Sequence, residues 1–134
     1  MNDLHGKIDQ QYDLDITEDD VTDGTFGRMD YTASAIKARE AENPNSLLVH
    51  AGDMIGGSSP VSALLQDEPT IEIMEAMDFD VGTIGNHELD EGTDELLRIM
   101  DGGEHPNGTP GYDGANFATP VSYTHLTLPT IYSV

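Results

Sequence analysis

The stretch Val81-Gly82-Thr83-Ile84-Gly85-Asn86-His87-Glu88-Leu89-Asp90 carries the strongest structural signal in this chain. Its apolar first half, residues 81–84, predicts a buried strand that stops at Gly85. The turn at this glycine would place Asn86 and His87 just beyond the carboxyl end of the strand, where open α/β sheets bind ligands. An amide, an imidazole and two carboxylates at that position indicate a functional site rather than a piece of core.

A second strand-like run ends in the same way. Residues 46–51 read Ser-Leu-Leu-Val-His-Ala, and Gly52-Asp53 follows directly. The run has almost no polar alternation, which predicts a strand covered on both faces. We interpret His50, inside this run, as a structural histidine rather than a ligand.

The amino terminus supplies a third set of polar side chains. Asp3 and His5 are two residues apart in Asn2-Asp3-Leu4-His5-Gly6, a spacing that puts both side chains on one face of an extended segment. The ligand types collected at these three predicted strand ends belong to Asp3, His5, Asp53, Asn86 and His87. Carboxylate, amide and imidazole groups suit Mn, Fe or Zn, and carboxylates can bridge two ions.

The set Asp-x-His, Gly-Asp and Gly-Asn-His-Glu, in this order, resembles the calcineurin-like metallophosphoesterases. Asn-Asp-Leu-His-Gly with Gly-Asn-His-Glu-Leu-Asp looks like their 5′-nucleotidase branch, which includes UDP-sugar hydrolases and 2′,3′-cyclic-nucleotide 2′-phosphodiesterases. The resemblance covers residues 2–100, with weaker support as far as Phe117. It implies an α/β fold, here the truncated first half of a four-layer α/β/β/α sandwich.

The resemblance also implies two divalent metal ions, whether Mn, Zn, Fe, Mg or Ca, that clamp a phosphoryl group and activate a hydroxide. The substrates it implies are nucleotides and other small phosphate esters. Asp3 and His5 would hold the first ion and Asp53 would bridge both. Asn86 would hold the second ion through its carbonyl oxygen.

His87 is expected to be catalytic, since an imidazole beside the metals can stabilise the departing oxygen or donate a proton to it. Asp90 matches the aspartate that orients this imidazole in the 5′-nucleotidase branch, and its structural alternative is a helix cap. Asn86 and His87 would also contact the substrate. We interpret Glu88 as a supporting or structural residue.

The sequence departs from the family pattern in one respect that bears on activity. The family has two further metal-binding histidine motifs downstream, ending in Gly-His-x-His, and then a substrate-recognition domain, and neither occurs here. The first hypothesis is therefore the amino-terminal part of a nucleotide phosphohydrolase, inactive or very weak by itself. The alternative is a non-catalytic metal-binding or interaction module on the same scaffold.

Composition limits the partners of this protein. With 26 acidic and 5 basic residues the formal net charge is −21, so nucleic-acid backbones and anionic membranes are disfavoured on electrostatic grounds. The acidity suits a solvated surface in salty or extracellular surroundings, and the family resemblance implies an extracellular, cell-surface or periplasmic setting for the parent protein. Cysteine is absent, which excludes disulfides and thiolate metal sites. No segment has transmembrane length, and nothing in the sequence predicts an oligomeric state.

The remaining segments predict helices and loops around the strands. Helices are expected over residues 27–42, over residues 61–66, from Pro69 with Ile71, Met74 and Met77 inward, and from a Thr93 cap with Leu96, Leu97 and Met100 inward. The acidic residues 7–26 predict a surface loop, and His105 is expected to be a solvated loop residue. Gly102-Gly103 should end the last helix.

Both ends of the chain carry separate expectations. A ligand at a strand's carboxyl end needs a strand before it, so the natural protein is expected to begin upstream of Met1. Residues 1–120 are interpreted as a partial catalytic domain. Residues 121–134 resemble the in-frame translation of a transposon-type sequencing adapter, which predicts that they have no biological role.

Overall fold

Parallel extended segments form the centre of the molecule. The structure, a computed structural model, describes residues 1–15, 17 and 24–119; the segment predicted to be adapter-derived lies outside them. Val49 forms a parallel bridge with Val81, and Val81 forms another with Ala118. The amino-terminal segment lies along the other side of the Val49 segment, where the Ala51 N–H donates to the Met1 carbonyl at 2.9 Å. These segments and their covering helices give an α/β architecture.

The two predicted strands are shorter than expected. The apolar runs form single bridges rather than continuous ladders. The carboxylate of Asp80 accepts the Leu48 N–H at 2.8 Å, so a side chain takes the place of a backbone acceptor where the pairing begins. At the other end, the chain turns away at Gly52, whose φ is 93°. Pairing is therefore confined to the few residues that deliver the polar side chains.

The prediction that residues 46–51 are covered on both faces was wrong. Leu48 and His50 are buried, but Leu47 is 74% exposed and Val49 43% exposed among the described residues. Strand geometry sends alternate side chains to opposite faces, and only one face here lies on the helices. The other face is apolar and open.

A hairpin occupies part of the segment that was predicted to be a loop. β1 (Gln11–Leu14) pairs antiparallel with β2 (Gly24–Gly27), with Tyr12 opposite Phe26. The Thr25 hydroxyl donates to the Asp13 carboxylate at 2.5 Å across the pair. The sequence did not predict these two strands because they show no apolar period. Contacts between facing residues of the two strands stabilise such a hairpin instead.

Four helices lie in the described part of the chain: α1 (Met29–Glu42), α2 (Pro60–Ala63), α3 (Glu68–Ala76) and α4 (Thr93–Asp101). The predicted helices are thus confirmed, with the shortest ending three residues early. Met74 and Met77 are buried, as predicted for a core stripe. None of the described helices is long and apolar enough to cross a membrane.

The fourth helix differs in detail from its prediction. Gly92, not Thr93, occupies the position before the first turn. Leu96 is buried but Leu97 is 53% exposed, and Ile99 takes the predicted inward position. Residues three apart share a helix face, whereas the next residue along is turned by about 100°. The helix ends at Gly102, as expected.

Candidate metal centre and histidine–aspartate pair

Three of the predicted metal ligands meet at one end of the parallel segments. One ligand atom from each of Asp3, His5 and Asp53 lies within 4.8 Å of the others. The backbone brings them together, because the Asp3 N–H donates to the Gly52 carbonyl at 3.2 Å and the His5 N–H donates to the Asp53 carbonyl at 3.0 Å. Residues that are fifty positions apart in the chain thus form one cluster.

All three clustered residues have a left-handed backbone. The φ angles are 52° for Asp3, 50° for His5 and 51° for Asp53. Residues other than glycine rarely adopt this region, and strained conformations of this kind concentrate at functional sites. These conformations thus occur at the three residues whose ligand atoms converge on a common point.

The tautomer of His5 leaves one ring nitrogen free to bind a metal. Its Nδ1 lies 3.0 Å from the Gly56 carbonyl oxygen. A carbonyl only accepts, so Nδ1 carries a proton, and in the neutral form of the ring Nε2 then keeps its lone pair. That Nε2 is 4.0 Å from Asp3 Oδ1, within the cluster. A hydrogen bond that fixes the non-ligating nitrogen is typical of metal-binding histidines.

The carboxylates of this cluster have no compensating lysine or arginine among the described residues. The ion pairs of Arg28, Arg39 and Arg98 in this part of the chain all involve other carboxylates. Asp3 accepts a hydrogen bond from the Asn2 side chain. Two carboxylates and an imidazole in one cluster form a donor set that is rich in carboxylate oxygens, which fits a divalent cation.

His87 and Asp90 form a hydrogen-bonded pair beside the cluster. Nδ1 of His87 is 2.7 Å from Oδ2 of Asp90, and the His87 ring meets the His5 ring edge-on with 4.7 Å between centroids. The hydrogen bond to Asp90 raises the pKa of His87, with smaller electrostatic contributions from Asp90, Asp53 and Glu88. The Asp90 N–H also donates to the His87 carbonyl and ends the 3₁₀ turn of residues 87–89. Asp90 therefore pairs with His87 through its side chain and caps the turn through its backbone.

Asn86 lies on the turn between the cluster and this pair, and its side chain is exposed. Its two neighbours are fixed by carboxylates: the His87 N–H donates to Asp53 Oδ1 at 2.9 Å, and the Gly85 N–H donates to Glu88 Oε2 at 2.6 Å. The structure therefore brings the backbone of Asn86 next to Asp53.

Glu88 has a larger part in this site than the sequence predicts. Its carboxylate accepts three backbone N–H groups, from Asp53 at 2.9 Å, Met54 at 2.7 Å and Gly85 at 2.6 Å. Two of these donors lie more than thirty residues away along the chain, so no local sequence pattern could identify them.

Two glycines allow the turns to approach each other. A Cβ on Gly52 would lie 2.7 Å from the Gly85 Cα, and a Cβ on Gly85 would lie 2.6 Å from the Asp53 backbone nitrogen. Neither distance leaves room for a side chain. The glycines of the Gly-Asp and Gly-Asn-His-Glu motifs are thus required by backbone-to-backbone packing at the site.

A cavity of about 240 Å³ borders the histidine–aspartate pair. Its wall includes His87 and several acidic side chains, among them Asp67, Glu91 and Glu95. An anionic phosphate would be repelled by this wall unless cations were present. The charge of the cavity therefore agrees with a site that binds cations first.

Two further histidines, His50 and His105, lie apart from the Asp3–His5–Asp53 cluster. His50 is buried between Phe79 and Phe117, and burial lowers its pKa, so it is neutral. Its Nδ1 accepts the Gly52 N–H at 3.4 Å, while Nε2 has no partner among the described residues. His105 is partly buried in a loop, where its Nδ1 accepts the Asn107 N–H.

The chain is similar to a known protein family and to several characterised proteins. The family model described as calcineurin-like phosphoesterase matches residues 1–128. The chain is 73% identical over 117 residues to a Bacillus subtilis protein named endonuclease YhcR, covering 87% of this chain and 10% of that protein. It is 35% identical over 112 residues to a 2′,3′-cyclic-nucleotide 2′-phosphodiesterase/3′-nucleotidase of Yersinia enterocolitica, covering 78% of this chain and 16% of that protein.

Among solved structures, the chain resembles the NAD nucleotidase NadN of Haemophilus influenzae. The TM-score is 0.64 at 24% identity, over 79% of this chain and 21% of the other. At this identity the likeness concerns the fold. The chain spans less than a quarter of the length of each of these three proteins.

Proposed function

The chain belongs to the calcineurin-like phosphoesterase family, and we propose that it forms the amino-terminal part of the catalytic centre of a metal-dependent phosphohydrolase that acts on nucleotides. One observation carries the proposal: the clustering of Asp3, His5 and Asp53 directly beside the His87–Asp90 pair. Relatives named for cyclic-nucleotide and nucleotide hydrolysis support the substrate class.

In this proposal Asp3, His5 and Asp53 hold divalent metal ions, with Asn86 as a further ligand. The hard anionic donors, the free Nε2 of His5 and the missing lysine or arginine partners in the described part of the chain fit such ions. When bound, divalent ions would neutralise phosphate charge and lower the pKa of a water molecule. Donors for the second ion in this chain are Asp53 and Asn86, so the chain alone is expected to be inactive or very weak.

His87 is proposed to act on the leaving group. Its pKa is raised by Asp90, so the imidazole is held in a form that can donate a proton to the departing oxygen. Asp90 orients the ring through Nδ1, which directs Nε2 away from Asp90. Asn86 and His87 would contact the phosphate from the same turn.

The open apolar face at Leu47 and Val49 supports a larger fold than the described residues form. We place a second sheet against it, as in the four-layer sandwich implied by the family resemblance. An uncovered apolar face of this kind marks an interaction surface. We also propose an extracellular, cell-surface or periplasmic location for the parent protein, on the grounds of its acidity.

Phosphodiester bonds of nucleic acid are a second candidate substrate. The observation in favour is the 73% identity to a protein named as an endonuclease, although the match covers 10% of that protein. Against it is the net charge of −21, which opposes binding of a polyanion. The same assay can separate the two candidates.

The test is hydrolysis by the complete gene product with added Mn²⁺. The substrates are 5′-AMP, 2′,3′-cyclic AMP, bis-p-nitrophenyl phosphate and linear DNA, and the variants are Asp53→Ala and His87→Ala, with His105→Ala as a matched histidine control. We expect nucleotide hydrolysis that depends on metal, is lost in the first two variants and persists in the control. Turnover of DNA alone would favour the second candidate. Metal binding without turnover of any ester would favour the non-catalytic module.

A further inference from the structure

We propose that Glu88 is a positioning residue that holds the Asp53 turn against the Gly85–His87 turn and so sets the placement of the metal-binding carboxylate. The metal-binding role of Asp53 in this inference rests on the proposed function, whereas the hydrogen bonds of Glu88 do not depend on a metal ion. Glu88 is the one carboxylate of the central motif that has neither a ligand role nor a role in the His87 pair.

The Glu88 carboxylate accepts hydrogen bonds from the backbone of both turns. Oε2 accepts the N–H groups of both Asp53 and Gly85, so one oxygen bridges the two turns directly. Oε1 accepts the Met54 N–H at 2.7 Å. Hydrogen bonds from backbone N–H groups to an ionised carboxylate are stronger than those between neutral groups.

The hydrogen bonds between the two turns are reciprocal. While Glu88 binds the backbone of Asp53, the Asp53 side chain binds the backbone N–H of His87 at 2.9 Å. Each turn thus contributes a carboxylate to the backbone of the other. This double contact fixes both the position of Asp53 and the start of the 3₁₀ turn that carries His87.

No backbone–backbone hydrogen bond joins the Asp53 turn to the Gly85–His87 turn in the described part of the chain. Gly52 and Gly85 pack without room for a Cβ, but their contact is van der Waals only among the interactions found in the described residues. Loss of the Glu88 carboxylate would leave three part-buried N–H groups without an acceptor. The turns would keep the Asp53–His87 hydrogen bond but lose the opposing ones, so the Asp53 oxygens would move relative to Asp3 and His5.

The experiment uses the full chain with Glu88→Ala, Glu88→Gln and, as a matched control, Glu72→Gln, which changes an exposed glutamate of α3. Two readouts are needed: amide hydrogen exchange at Asp53, Met54 and Gly85, and Co²⁺ binding with its visible absorption spectrum. Neither depends on ester hydrolysis. The spectrum reports ligand geometry, which a residue that only contributes to stability would not change.

We expect Glu88→Ala to speed exchange at the three amides, to alter the Co²⁺ spectrum and to weaken Co²⁺ binding about 10- to 100-fold, the usual effect of losing an outer hydrogen-bond partner. Glu88→Gln retains one oxygen that can serve Asp53 and Gly85 but places an amide against the Met54 N–H. Its effects should be intermediate and largest at Met54. Glu72→Gln should match the wild type.

Wild-type exchange and an unchanged Co²⁺ spectrum in Glu88→Ala would overturn the inference, as would equal changes in the Glu72→Gln control. If Glu88→Ala fails to fold, Glu88→Gln decides, and wild-type exchange at Met54 in that variant overturns it. If the wild type binds no Co²⁺, the proposed function fails, and the exchange rates alone decide whether Glu88 joins the turns.

Discussion

Nδ1 of His87 lies 2.7 Å from Oδ2 of Asp90, three residues later, across a single 3₁₀ turn. The turn makes this contact possible, since residues three apart in such a helix lie on the same side. The Asp90 carboxylate therefore orients the imidazole and raises its pKa, while the ring also makes an edge-on contact with the His5 ring.

The first prediction concerns Asp90→Asn. In the complete gene product, this change should lower kcat for nucleotide hydrolysis by about 100-fold, because general acid catalysis contributes about 10²- to 10⁴-fold and depends on the orientation and protonation of His87. Mn²⁺ affinity should stay close to that of the wild type, since Asp90 is outside the Asp3–His5–Asp53 cluster. Steady-state kinetics and calorimetry measure the two quantities. Equal kcat in Asp90→Asn and in Asp113→Asn, an exposed control, would contradict the role of the pair.

The second prediction concerns metal and thermal stability. Mn²⁺ at 100 times its dissociation constant should stabilise the folded chain by about 2.7 kcal/mol, because it binds the folded state alone. EDTA should reverse the shift in Tm. In Asp53→Ala the shift should be absent, whereas Asp113→Ala should keep it. A Tm that responds to Mn²⁺ equally in both variants would place the metal elsewhere.

The third prediction concerns Gly82, which faces the buried His50 ring. A Cβ at Gly82 would collide with the imidazole, and the ring has no room to move between Phe79 and Phe117. Gly82→Ala should reduce the free energy of unfolding by about 1 to 3 kcal/mol through overpacking. Gly24→Ala is the control, since its Cβ would make only an ordinary contact with Phe26. Urea unfolding of both variants measures the difference, and equal stabilities would be inconsistent with this packing.

The fourth prediction concerns the buried carboxylate of Glu68, which pairs with Arg98 at 2.5 Å and accepts the Thr109 N–H. Burial opposes its ionisation, but the hydrogen bonds from Thr109 and Arg98 outweigh burial and lower its pKa below 4.5. The stability it contributes is therefore fully present above the unfolded pKa and is lost as pH falls through the folded-state pKa.

Glu68→Gln should accordingly lower the free energy of unfolding at pH 7 by about 1 to 3 kcal/mol, because Arg98 loses its buried carboxylate partner and keeps its ion pair with Glu95. The difference in free energy of unfolding between this variant and the wild type should shrink as pH falls below 4.5, the pKa of this carboxyl in the unfolded chain. Urea unfolding across this pH range measures it, with the exposed Glu72→Gln as control. A gap that stays constant with pH would show that charge is not its origin.

Local signals in the sequence predicted much of the fold. Helices α1, α3 and α4 follow from apolar spacing and from their end signals, which act over a few residues. The hairpin of β1 and β2 was missed because its stabilising pairs lie across the two strands. The exposure of Leu47 and Val49 was missed because an apolar run does not say how many of its faces are covered.

What the sequence determined by itself is the chemistry of the site: which donors follow the apolar runs, and that Asp90 stands one turn after His87. Only the tertiary structure decided that Asp3 and His5 meet Asp53, since parallel pairing joins segments fifty residues apart. It also decided the task of Glu88, whose acceptor oxygens find donors on two separate turns. The physical reason is that side-chain chemistry is a local property, whereas the distance between two turns depends on every backbone contact that lies between them.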